Sequence, residues 1–122
     1  MAQQPWRFSQ LLVSTARSFG QSTWQPAVDV YRAAGGWLLK YELAGVSPQD
    51  IEVHINGRTI SVQGVRRDLW IEESQQSYSM EIAYNQFHRA LELPCDLSTM
   101  DVATQYRDGM LLVRLTPREP CA

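Results

Sequence analysis

The feature that most restricts this chain is its two-residue rhythm. Across residues 28–115, apolar and polar side chains alternate in short runs, and Gly, Pro, Asn and Asp separate the runs. A helix returns to the same face every three or four residues and a strand every second one, so this rhythm builds half-buried strands. In residues 37–43, Trp37, Leu39, Tyr41 and Leu43 share one face while Lys40 and Glu42 share the other, which makes one wall of a core.

Turn residues fix how the runs pair. Ile51, Val53 and Ile55 alternate with Glu52 and His54 up to Asn56-Gly57, and Ile60 and Val62 alternate with Thr59, Ser61 and Gln63 beyond it. Asn-Gly suits a type I′ hairpin, in which both positions need positive φ. A second hairpin joins residues 102–106 to 110–115 through Arg107-Asp108-Gly109. Residues 28–31 form a first strand. A further strand region over residues 78–93 carries Met80, Ile82 and Tyr84 on one face and, past a break near Asn85-Gln86, Phe87, Leu91 and Leu93; Pro94 ends it. Seven to nine short strands without intervening helices predict an all-β, two-sheet antiparallel sandwich.

Residues 65–77 break the pattern. They are mostly charged or amide side chains, with Arg66-Arg67 and Glu72-Glu73 as charge runs of a solvated loop first and interface ion pairs second. These surround Leu69-Trp70-Ile71, an apolar triplet with too few neighbours for a core of its own, so it calls for a partner surface. Residues 1–23 form an N-terminal arm, partly helical or disordered: Phe8, Leu11, Leu12 and Phe19 fall near helical spacing. Residues 24–117 are the sandwich, and residues 118–122 are a flexible tail without periodicity.

Several function classes drop out. The 122 residues carry a net charge of −2 with both signs interspersed, so a nucleic-acid binder's basic stripe is missing. No run approaches the roughly 20 apolar residues of a membrane span, and Arg7 and Arg17 are too few to hold an anionic lipid surface. Cys95 and Cys121 form neither a disulfide framework nor a metal spacing and suit a reducing cytoplasm. His54 and His88 lie on solvent-facing strand positions without a nucleophile nearby. Glycine-rich phosphate loops and metal-ligand clusters are likewise missing, which predicts no enzyme, no cofactor and no metal.

Read in order, Trp24-Gln25-Pro26-Ala27-Val28-Asp29-Val30-Tyr31, Leu43-Ala44-Gly45-Val46, Ile60-Ser61-Val62-Gln63-Gly64-Val65-Arg66, Phe87-His88-Arg89-Ala90-Leu91-Glu92-Leu93-Pro94 and Asp108-Gly109-Met110-Leu111 resemble the alpha-crystallin domain of the bacterial and plant-type small heat-shock proteins. The likeness spans residues 24–117. It implies an immunoglobulin-like sandwich and a stress-response chaperone that uses no ATP and no cofactor. It also implies a homodimer, the unit of larger oligomers, formed when an extra strand in the middle loop adds to the partner's sheet; residues 66–77, with Leu69, Trp70 and Ile71, are where that strand would lie. Two features depart from the family pattern. Thr104 stands where an alanine is common, and nothing after Leu115 matches an Ile-x-Ile tail motif, so a dimer or small oligomer is expected.

The resemblance also implies site roles. Arg89 would sit at the dimer interface with Glu72 or Glu73 of the partner as counter-ion; the plainer reading is a side chain reaching solvent at a sheet edge. Ile51, Val53 and Ile55 on one edge strand, with Val102 and Thr104 on another, would border a groove for tail motifs or clients, although core packing also accounts for their apolar atoms. Trp6, Phe8, Leu11, Leu12 and Phe19 would catch unfolded client proteins or else dock on the chain's own domain. A holdase that binds unfolding proteins is the expected function. The alternative is a non-enzymatic module that binds a folded chaperone or co-assembles with longer family members.

Overall fold

Three tight hairpins turn the alternating runs back on themselves. At Ala34-Gly35 and Asp108-Gly109 both turn residues have positive φ, the type I′ geometry that matches the twist of paired strands. The hairpin predicted at Asn56-Gly57 forms one residue later. Asn56 pairs with Thr59, so the turn is Gly57-Arg58, and only Gly57 has positive φ, as in type II′.

The computed structural model describes residues 23–118. Among them are seven strands: β1 (Val28–Ala33), β2 (Gly36–Glu42), β3 (Ile51–Asn56), β4 (Thr59–Arg66), β5 (Asn85–Glu92), β6 (Met100–Arg107) and β7 (Met110–Pro117). One antiparallel sheet runs in the order β1-β2-β7-β6 and the other in the order β3-β4-β5. The predicted two-sheet sandwich is the observed architecture. The readings made for Trp6, Phe8, Leu11, Leu12, Phe19 and Cys121 lie outside the described residues.

The core follows from the rhythm. Leu39, Tyr41, Val113 and Leu115 of one sheet meet Ile60, Val62 and Phe87 of the other, all buried, and Leu43 closes the layer just past β2. Each fully buried side chain of this size contributes about 1.5–3 kcal/mol relative to exposure. The Tyr106 hydroxyl donates to the Leu43 carbonyl at 2.7 Å and anchors β6 over the connection that leaves β2.

The Tyr41 hydroxyl is buried with no hydrogen-bond partner among the described residues. Burial pushes its pKa up to about 12, tempered by the nearby positive charge of Arg89. Above pH 10 an unfolded chain gains by ionising this phenol, while the folded one holds its proton until about 12, so stability falls across that window. The expected loss is roughly 3 kcal/mol. Tyr41→Phe should flatten the fall while leaving stability at pH 7 equal or higher, because the orphan hydroxyl is gone; thermal melts from pH 9 to 12 measure it.

Three expectations are corrected. The strand foreseen over residues 78–93 is confined to Asn85–Glu92, and residues 67–84 contain no strand. Tyr78, Met80 and Ile82 do alternate, but no strand among the described residues pairs with them and all three are exposed. Arg66 and Arg67, read as charges of a solvated loop, are pinned. Arg66 donates to the carbonyls of Ala83 and Ala44, and Arg67 forks onto Asp50 at 3.0 and 3.2 Å. Finally, Cys95 is buried and disulfide-bonded, against the expectation of reduced cysteines.

Candidate interaction surfaces

A sandwich of two open sheets has four edge strands, and unpaired edges are where a second chain can add. The edge of β5 is covered by the chain itself. Trp24 lies parallel beside Phe87: its N–H donates to the Gln86 carbonyl and its own carbonyl accepts from the His88 N–H, both at 3.1 Å. Its ring packs on Phe87 with centroids 5.3 Å apart, and the indole N–H reaches the Asn85 carbonyl at 3.2 Å. In the sequence Trp24 stood out only as the first residue of the family-like segment 24–31. Its position two residues before Pro26, outside the alternating run, offered no signal that it would cap a strand.

The edge of β1 has no such cover among the described residues. Val30 and Tyr31 are exposed there, and the Lys40 ammonium lies 4.8 Å from the Tyr31 ring centre. The long loop 67–84 is also uncovered: Leu69, Trp70 and Ile71 are all exposed, and Trp70 is 89 % accessible. On the return limb, Tyr78 is fully accessible and Met80 and Ile82 nearly two-thirds so. Side chains this large left in water cost burial energy that only another surface can recover.

The remaining edges, β3 and β6, carry the five residues read as a groove. Ile51, Val53 and Ile55 are half-buried against the core. Val102 and Thr104 pair with Leu115 and Val113, so they share the inward-turned face of β6, yet both are exposed. The turn Leu97–Thr99 leading into β6 packs against β3, which brings the two edges to the same side of the sandwich.

Arg89 shares its strand face with Phe87 and Leu91, as the alternation requires. It is half-buried, and its guanidinium donates to the Pro26 carbonyl at 3.1 Å. Within the chain its partner is therefore a backbone carbonyl. Glu72 and Glu73 lie exposed in the loop, where Glu72 and Gln75 close a small turn on each other.

The outer face of the three-stranded sheet holds both histidines. His54 meets the Glu52 carboxylate at 3.0 Å, and His54 with Gln63 holds that carboxyl below its usual range. A shallow depression of 360 Å³ over Gly64 is lined by Glu52, Gln63 and His88 among others. No group of three or more metal-ligating side chains occurs among the described residues, and no helix there is long and apolar enough to cross a membrane.

Open strand edges and a loop rich in exposed apolar side chains define a β-sandwich whose distinctive feature is uncovered contact surface. The chain belongs to the Hsp20/alpha crystallin family, whose profile matches residues 29–122. It is 31 % identical to spore protein SP21 of Stigmatella aurantiaca over 98 % of this chain and 66 % of that one. It is 22 % identical to small heat shock protein C2 of Rickettsia felis over 77 % of this chain and 61 % of that one. The chain thus spans less than two-thirds of these relatives' lengths. Among solved structures, hspA of Xanthomonas axonopodis superposes with a TM-score of 0.68 at 29 % identity, covering 83 % of this chain and all of that one. The family is that of the small heat shock proteins, which are not enzymes and typically oligomerise.

Proposed function

We propose that this chain is an ATP-independent holdase, which binds the apolar segments of unfolding proteins and so slows their aggregation. The observation that carries this is the exposed apolar surface of loop 67–84 and of the β1 and β6 edges on an otherwise closed core. Such surface gains by meeting a client's exposed apolar segments, and no bond is made or broken. Trp6, Phe8, Leu11, Leu12 and Phe19 extend the client surface in this reading. Ile51, Val53, Ile55, Val102 and Thr104 form a groove for extended segments.

The unit is a homodimer in which the loop of one chain adds a strand to the open β1 edge of the other. Edge addition satisfies backbone groups on both chains and buries apolar side chains that have no home in one. The sequence reading places the exchanged residues at Leu69, Trp70 and Ile71. The strict alternation of Tyr78, Met80 and Ile82 makes the return limb a second candidate. Arg89 with Glu72 or Glu73 of the partner would add an ion pair.

The compartment we propose is the cytoplasm, where a disulfide at Cys95 would form under oxidative stress. The test of the holdase reading is direct. A thermolabile client heated with this chain and no ATP should co-elute with it on size exclusion as a soluble complex; separate elution and a precipitated client would overturn it.

A further inference from the structure

We infer that Arg66 is a clasp that couples the loop 67–84 to Trp24, the residue that covers the β5 edge. Arg66 is the last residue of β4 and pairs with Asn85, the first of β5, so the whole loop springs from this pair. Its Nε and one terminal nitrogen both donate to the Ala83 carbonyl, at 2.9 and 2.8 Å, and the other terminal nitrogen donates to Ala44 at 3.0 Å. The face of the guanidinium lies 4.2 Å from the Trp24 ring centre and 5.9 Å from that of Tyr84.

Trp24 is what fastens the start of the described chain to β5, through the Gln86 carbonyl, the His88 N–H and the Asn85 carbonyl. One side chain therefore touches the end of the loop, the connection after β2 and Trp24. The arrangement needs a planar fork with a flat cationic face, which arginine has and lysine lacks. If the loop end at Ala83 shifts, Arg66 must follow it and leaves the Trp24 ring. If Trp24 lifts, the backbone groups of Gln86 and His88 lose their partners and the loop stem loses its cover. The two contacts open together, so the loop's apolar residues and the β5 edge under Trp24 become available in one event. This coupling stands whether or not the loop pairs with a second copy.

The test uses the full chain and reads each end separately. Residue-resolved hydrogen exchange at the Trp24 and His88 amides reports the anchor, and cleavage at Glu81 by a glutamate-specific protease reports the loop. Arg66→Lys should accelerate both by about fivefold or more, and Trp24→Ala should accelerate Glu81 cleavage by a similar factor. The double variant should cleave no faster than the faster single one, as expected of residues acting through one contact. Arg67→Lys removes the fork onto Asp50 without touching Trp24, so it should leave the Trp24 and His88 amides within about twofold of the parent. Each variant is first melted; Trp24→Phe, which keeps a ring but no indole N–H, replaces Trp24→Ala if the latter does not melt cooperatively, with the same expectation. The inference is overturned if Arg66→Lys loosens only the loop, if the two effects multiply, or if Arg67→Lys frees the anchor equally.

Discussion

Gly64→Ala should lower the melting temperature by roughly 12 °C or more, on the scale of about 4–8 °C per kcal/mol for a domain of this size. Gly64 lies within β4, opposite Ile51 on one side and Phe87 on the other. A Cβ there would fall inside contact distance of the Asp50 carbonyl oxygen and 2.8 Å from Phe87 Cζ. Neither neighbour can yield cheaply. Asp50 ends the turn Pro48–Asp50 and is held by Arg67, and Phe87 is fully buried beneath Trp24. Overpacking of this kind typically costs about 1–3 kcal/mol and sometimes more; two rigid neighbours put this site at the top of that range. Gly57→Ala is the comparison. Its positive φ costs roughly 1–2 kcal/mol, but a Cβ there meets nothing within 4 Å, so its melting temperature should fall by less. Equal or smaller loss at Gly64 would contradict the packing described for β3, β4 and β5.

The second large effect concerns assembly. Replacing three exposed apolar side chains of the exchanged strand by serine should weaken the dimer by more than about 100-fold, because burying each contributes about 1.5–3 kcal/mol. Two triple variants separate the candidates: Leu69, Trp70 and Ile71 to serine, and Tyr78, Met80 and Ile82 to serine. Under the proposed pairing, sedimentation across a concentration series should show the parent chain dimeric and one of the variants monomeric at the same concentration, with the melting of the sandwich little changed. The variant that dissociates identifies the exchanged segment. If both remain dimeric, loop exchange is not how this chain pairs.

Much of the fold was legible because strand rhythm and turn chemistry are local. The inward row Trp37, Leu39, Tyr41 and Leu43 and the pairing across Asp108-Gly109 follow from spacing alone, and both stand in the structure. The turn after β3 slipped by one residue because Asn56 still pairs with Thr59, a matter of register that a dipeptide does not encode. Residues 78–84 have a strand's pattern without being a strand, since a strand exists only where another offers its edge. That property belongs to two segments and cannot be read from one.

The candidate surfaces were legible to the same extent. Ile51, Val53 and Ile55 were placed on a strand by their alternation and at a sheet edge by the family resemblance, and Leu69, Trp70 and Ile71 were singled out as apolar residues without neighbours. Arg66, Arg67 and Trp24 were missed. Two adjacent arginines in a polar stretch look solvated until one knows which carbonyls at the loop stem lack partners, and those at Ala44 and Ala83 come from distant parts of the chain.

Light scattering from a thermolabile client, heated with an equimolar amount of this chain and no ATP beside an inert protein control, tests the central claim most directly. The holdase account predicts that scattering is strongly suppressed relative to the control. Scattering equal to the control, with the chain folded and dimeric throughout, would contradict it and leave binding to a folded chaperone or co-assembly with longer relatives as the function to pursue.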